Sequence, residues 1–381
     1  MEFRAEIQSF ITENCPESIR DPDQQATRDD WQAWSQKYFE QGWSAPTWPT
    51  KYGGAGLDKP EIAILQEELR NNHAVVGVGG MGLTMIGPAL LEFGTEEQCM
   101  QHLPKIVRQE IVWCQGYSEP GSGSDLASLQ TRAVSDGDDY IINGSKIWTS
   151  GADHADWMFC LIRTDPDAPK HEGISFILFD MKSPGVSVKP ILLISGASPF
   201  CQTFLDDVRV PKSHLVGEVN KGWTVAKRLL QYERTSIGGI GGGGGGPRAK
   251  TLDDIAKECA GESNGKIANP DLRDRVTRHR INDHVFGLTT RRSGEETRAG
   301  VAPTFISSMF KYYGTEQNKN RYDLLVEMMG VNGLGWSGEE FDQQDLGVTR
   351  QWLRSKANSI EGGTSEIQLN IIAKRILGLP D

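Results

Sequence analysis

The chain has 381 residues, 38% hydrophobic and 24% charged, which is the balance of an ordinary globular protein long enough for more than one structural unit. A net charge of -11 argues against nucleic acid or an anionic membrane as the main partner. No apolar run approaches the roughly 20 residues that span a bilayer, and Cys15, Cys99, Cys114, Cys160, Cys201 and Cys259 are scattered without a CxxC pair, so they read as buried thiols in a reducing compartment.

The opening stretch, Met1 to Pro16, lacks the apolar core of a signal peptide and reads as an amphipathic helix, which points to the cytoplasm. Helical periodicity runs through residues 1–112, as in Ile62, Ile64, Leu65, Glu68 and Leu69, then Leu90, Leu91 and Phe93. Gly and Pro mark the loops there, at Gly42-Trp43-Ser44-Ala45-Pro46 and Tyr52-Gly53-Gly54-Ala55-Gly56. Residues 113–220 change to short β-rich runs. Tyr140-Ile141-Ile142 and Lys146-Ile147-Trp148, with Asn143-Gly144 between them, predict a hairpin closed by a type I′ turn. Further strands are expected at 157–163, 174–180, 186–192 and 202–208. Helical texture returns at Gly222 and continues to Leu377, which makes residues 221–381 a second helical region. The expected fold class is α+β.

Three segments invite chemistry. Tyr117 through Ala127, with Ser118-Glu119-Pro120-Gly121-Ser122-Gly123-Ser124-Asp125 at its centre, packs small residues and hydroxyls so that a backbone can approach a flat or anionic ligand; a surface loop would look the same. Trp148-Thr149-Ser150 places an aromatic wall and two hydroxyls at a strand end, suited to an aromatic cofactor or simply to a core. The glycine run from Gly238 to Gly246 contains a GxGxxG match that follows no strand, so a dinucleotide fingerprint is set aside. It reads as a linker, or as a helix loosened by about 1 kcal/mol per glycine so that bulky substrate can lie against bare backbone. His279 and His284 are five apart and off a shared helical face, so no metal site is read.

Gly42-Trp43-Ser44-Ala45-Pro46, the Ser118 to Asp125 loop and Trp148-Thr149-Ser150 together resemble the acyl-CoA dehydrogenase family, and the resemblance extends through Gly330-Val331-Asn332-Gly333 to Glu361-Gly362-Gly363-Thr364-Ser365-Glu366-Ile367, nearly the whole chain. It implies an N-terminal helical domain (1–112), a middle β-barrel or sandwich domain (113–220) and a C-terminal four-helix bundle (221–381), with FAD in the cleft between them. It implies FAD-dependent α,β-dehydrogenation of an acyl-CoA in lipid β-oxidation, with an electron-transfer flavoprotein or similar acceptor; the alternatives are a flavin oxidase or monooxygenase on the same scaffold, or an FAD-poor partner subunit of a heterotetramer. Flavin contacts would come from Gln115, Tyr117, Ser118, Gly123, Trp148, Thr149 and Ser150, with Thr364 and Glu366 at the FAD-binding loop. Gly330 and Gly333 would approach the adenine half of a neighbouring subunit's FAD, and Ser124 would lie near the CoA. A homo-oligomer, typically a tetramer, or a heterotetramer with a related subunit follows.

Such a reaction needs a carboxylate base in a dry pocket and donors at the thioester oxygen. In many family members the base immediately precedes Gly-Thr, where this chain has Gly362; Glu361 lies one residue earlier, and one residue on a helix turns a side chain by about 100°. Gln231-Tyr232-Glu233-Arg234 is similar to the Glu-Arg pair of the isovaleryl and long-chain branches. Glu233 is the expected base with Glu361 as the alternative, Tyr232 and Arg234 would bind substrate, and the Gly362 N–H would polarise the thioester. The chain departs from the family pattern in lacking an Arg-x-x-Phe-Gly motif: the corresponding region reads 271–280, and the usual Gln before Gly330 is Glu327.

Overall fold

The computed structural model describes residues 2–238, 250–301 and 305–380; of residues 231–238 and 298 it describes the backbone alone. The chain forms two compact units, Met1–Lys189 with Phe200–Leu229, and Pro190–Pro199 with Leu230–Asp381.

The first unit begins with helices α1 (Glu2–Asn14), α2 (Glu17–Arg20), α3 (Arg28–Glu40), α4 (Lys59–Asn71), α5 (Gly87–Phe93) and α6 (Glu96–Val107). Local sequence explains where several of these begin. Thr27 with Asp30, Asp58 with Glu61, and Thr95 with Gln98 form reciprocal capping boxes at α3, α4 and α6. The expected inward stripe of α4 is observed, with Leu65, Glu68 and Leu69 buried. These pack beside Ile7, Ile11, Trp34, Tyr38 and Trp43, and the Trp34 indole N–H donates to Ala74 O at 2.8 Å. Buried Glu68 is compensated by Arg4 and by Gln8, whose amide donates to it at 2.9 Å.

Seven strands follow: β1 (Trp113–Gly116), β2 (Arg132–Asp136), β3 (Asp139–Ser150), β4 (Trp157–Arg163), β5 (Ile174–Asp180), β6 (Val186–Ile191) and β7 (Phe200–Pro211), in the order β1-β4-β2-β3-β7-β6, with β5 also paired to β4. β4 and β5 match their expected limits and are unbroken buried apolar runs. The Asn143-Gly144 hairpin does not form. β3 runs straight through both residues, antiparallel to β7, and the turn lies earlier, where Gly137 (φ +58°) joins β2 to β3 with Asp136 opposite Asp139. Asn143-Gly144 instead sits at a bulge. Asn143 exchanges two hydrogen bonds of 2.9 Å with Asp207 across the strands, and a Cβ at Gly144 would lie 2.7 Å from Thr131 Cα. Glycine is needed there for close approach beside a bulge in β7, not for a turn.

α7 (Gly222–Gly238) leads into the second unit, which contains α8 (Leu252–Ala260), a two-stranded ribbon β8–β9 (Glu262–Ser263 and Lys266–Ile267), α9 (Pro270–Arg298), α10 (Ile306–Met329), α11 (Gln343–Ser355) and α12 (Ser365–Ile371). α10 packs against α8, α9, α11 and α12, around Leu252, Ala256, Leu272, Val276, Leu324 and Leu325. Most of the glycine run, 239–249, lies outside the described residues. Five cysteines are buried as expected; Cys259 is exposed. Among the described residues no helix is long and apolar enough to cross a membrane.

Candidate active site

In the first unit the Ser118–Asp125 loop is built on a buried charge pair. Glu119 is 7% exposed and Lys146 fully buried. The Glu119 carboxylate accepts from the Lys146 ammonium at 2.8 Å, from Gln130 N at 2.6 Å and from Thr131 N at 2.9 Å. Burial pushes the Glu119 carboxyl up, but Lys146 and the N–H donors outweigh it and hold it below the usual carboxylate range. Ile147 N donates to Ser118 O at 2.8 Å, which ties the loop to β3. The loop's crest is open: Gly123 and Ser124 are exposed, and a Cβ at Gly121 or Gly123 would meet nothing.

Beside it, β3 ends in a second irregularity between Lys146 and Thr149. There Trp148 takes φ +61°, a conformation that a bulky residue adopts only under constraint, and stays 54% exposed with its ring edge-on to Phe200. Ser118, Ser150 and Gln115 are half-buried, while Tyr117 is buried. Thr149 points inward, and its Oγ1 accepts from Thr203 at 3.4 Å. An exposed, conformationally held indole beside an open Gly-Ser loop fits the flat ring of a flavin.

In the second unit Gly362 (φ +62°) and Gly363 (φ +89°) precede α12, which Thr364 caps by accepting from Ile367 N at 3.3 Å. The Gly362 C=O accepts from Gln368 at 2.9 Å, whereas its N–H donates to no group among the described residues. Glu361 is already engaged: Arg354 donates to its two oxygens at 2.7 and 3.3 Å, and Asn358 donates at 2.5 Å. Glu366 is held below the usual carboxylate range, chiefly by a backbone N–H and by Thr364. Gly330 (φ +55°) and Gly333 lie in a turn after α10, beside exposed Val331 and Leu334. In the 271–280 region, Arg275 forks onto Glu327, with one of its two bonds at 2.6 Å. The backbone of Tyr232, Glu233 and Arg234 is helical within α7.

Models of three acyl-CoA dehydrogenase domains match consecutive stretches: the N-terminal domain over residues 1–110, the middle domain over 114–208 and the C-terminal domain over 220–377. The chain belongs to the acyl-CoA dehydrogenase family. As a member of that family it is an oxidoreductase, and the family's activity is acyl-CoA dehydrogenation. It is 34% identical to the acyl-CoA dehydrogenase IpdE1 of Mycobacterium tuberculosis, over 100% of this chain and 97% of the relative. Among solved structures it is similar to the Tcur3481–Tcur3483 steroid ACAD, with a TM-score of 0.77 and 31% identity over 100% of this chain and 97% of the other. It is also similar to a chain of the ChsE4–ChsE5 complex from Mycobacterium tuberculosis, with a TM-score of 0.72 and 29% identity over 100% and 97%. Both matches extend the likeness to this acyl-CoA dehydrogenase from end to end.

Glu119, Lys146, Arg354, Asn358 and Gln368 were not singled out in the sequence. Lys146 alone carried a signal, because it alternates in phase with buried Tyr140 and Ile142 along β3.

Proposed function

We propose that this chain oxidises an acyl-CoA thioester to its trans-2-enoyl-CoA, with Glu233 removing the α-proton. The observation that carries the reading is the Gly362 peptide: its C=O is tied down, and its N–H is left as a donor for a thioester oxygen. Bound FAD, as its cofactor, would accept the β-hydride. Ser118, Trp148 and Ser150 would hold the flavin ring, with Gln115, Tyr117, Gly123 and Thr149 shaping that wall and Thr364 and Glu366 at the FAD loop. Ser124 would face the CoA, and Tyr232 and Arg234 the substrate. The commitment of the Glu361 carboxylate to Arg354 and Asn358 supports Glu233, the counterpart of the base in the isovaleryl branch, over the alternative Glu361.

The likeness to a steroid ACAD supports a bulky acyl group, as does the glycine run. Domain limits near residues 112 and 220 are supported by the limits of the family matches. Glu327, which stands where the family usually has Gln, is paired with Arg275, and a carboxylate is a poor match for a neighbour's pyrophosphate. This favours assembly with a related but different subunit over a homotetramer, with an electron-transfer flavoprotein as the acceptor.

The test is the visible spectrum of the purified chain before and after anaerobic addition of an acyl-CoA panel, for wild type, Glu233→Gln and Glu361→Gln. Bleaching of bound flavin is expected in the wild type and in Glu361→Gln but not in Glu233→Gln, and with bulky rather than short linear thioesters. Bleaching that survives Glu233→Gln moves the base to Glu361. A chain that retains flavin only when a related subunit is co-expressed supports the heteromer.

A further inference from the structure

Two separate sets of side-chain hydrogen bonds flank the Gly362 peptide in sequence, and the second of them reaches the peptide itself. Before it, Asn318 on α10 donates to Asn358 Oδ1 at 2.9 Å, Asn358 donates to Glu361, and Arg354 closes onto the same carboxylate. After it, Gln368 on α12 is fully buried and gives its amide N–H to Gly362 O at 2.9 Å. The second glycine permits this, because a Cβ at Gly363 would lie 2.6 Å from Gln368 Nε2. The other end of that amide, Gln368 Oε1, is buried with no partner among the described residues. So is Nζ of Lys311, a fully buried lysine on α10, which packs against α12.

An ammonium with three protons to donate and an amide oxygen with none received are complementary, and each is costly to bury alone. One turn before each of them, on the same helix faces, the hydroxyls of Ser308 and Ser365 are also buried and unpartnered. The charges around Lys311 are Glu361, Glu316 and Glu366, with Lys319 opposing them.

We propose that Lys311 and Gln368 are positioning residues for the thioester-binding loop. Lys311 donates to Gln368 Oε1 through one bridging water, and this polarises and fixes the amide that holds Gly362 O, so that the Gly362 N–H is aimed before substrate arrives. The inference rests on Gly362 being the thioester donor. Its value lies in preorganisation: a donor displaced by about 1 Å loses about a hundredfold in rate, and hydrogen bonds in a chain strengthen one another.

The experiment uses the flavin-loaded enzyme, with its partner subunit if it needs one, and a 2,2-dimethylacyl-CoA carrying a 13C label at the thioester carbonyl. That thioester has no α-proton and stays intact, so its C=O stretch reports the donor strength at the oxygen. In the wild type the stretch is expected to fall below its value in water. In Lys311→Met and in Gln368→Met it should return at least halfway, with kcat lowered by about ten- to a hundredfold and KM little changed. The double variant should be no worse than Gln368→Met alone, because the two act in series. A wild type without the lowered stretch sinks the role of Gly362 itself. A lowered stretch that persists in Gln368→Met, or losses that add in the double variant, overturns the positioning frame while leaving Gly362 intact. Should Lys311→Met fail to fold, Gln368→Met decides alone.

Discussion

Lys146→Met isolates one buried carboxylate. Glu119 would keep the N–H groups of Gln130 and Thr131 but lose the ammonium at 2.8 Å, while remaining 7% exposed. Breaking a buried pair in this way costs about 3–5 kcal/mol, or roughly 6–20 °C in unfolding midpoint at about 2–4 °C per kcal/mol. The pH dependence separates this from a mere loss of packing. In the wild type Glu119 sits below the usual carboxylate range, so its stabilisation is present above its unfolded pKa and lost as pH falls through the folded value. Without Lys146, burial raises the folded pKa, and the charged form becomes the liability. Thermal unfolding followed by circular dichroism should therefore show a wider gap between wild type and variant at about pH 8 than at about pH 5. Adding Glu119→Gln to the variant should recover most of the loss. A gap that does not vary with pH, or a double variant no better than the single, refutes the buried-pair account.

Trp148→Gly relieves a non-glycine residue at φ +61° and removes an exposed side chain, so the apoprotein should be no less stable and should gain about 1 kcal/mol. Flavin retention, measured by equilibrium dialysis, should weaken by about tenfold; unchanged retention would take Trp148 out of the cofactor wall. His102 lies 4.6 Å, centroid to centroid, from Trp157, and burial, with help from His214 and Lys105, pushes it down to about 4. Its contribution is complete above the ordinary value of 6.5 and is lost as pH falls through about 4, a span worth about 3 kcal/mol. In urea titrations His102→Gln should flatten the acid limb of stability; an acid limb as steep as that of the wild type would show that His102 does not set it.

Much of the fold was legible because the sequence states it locally. β4 and β5 are uninterrupted apolar runs, and α3, α4 and α6 begin at side chains that cap them. Asn143-Gly144 misled because the pair that favours a tight turn also suits a bulge, and only Thr131, brought close by the fold, decides between them. The proposed site was visible in the sequence only as contiguous segments, those around Ser118, Trp148 and Gly362. It was not where it depends on long-range pairs: Glu119 with Lys146 are 27 positions apart, and Asn318 with Asn358 are 40 apart. Such pairs have no local spacing to betray them.

The irregularity at the end of β3 has a consequence for which changes this enzyme can accept. Lys146 pairs with Thr203 and Thr149 with Cys201, so two residues of β3 stand opposite the single residue Gln202. The extra residue lets Lys146 and Thr149, three positions apart, both face inward, and it places Trp148 in the bulge at φ +61°. Shortening this stretch by one residue would restore plain alternation across the pair and release Trp148 from its constrained backbone.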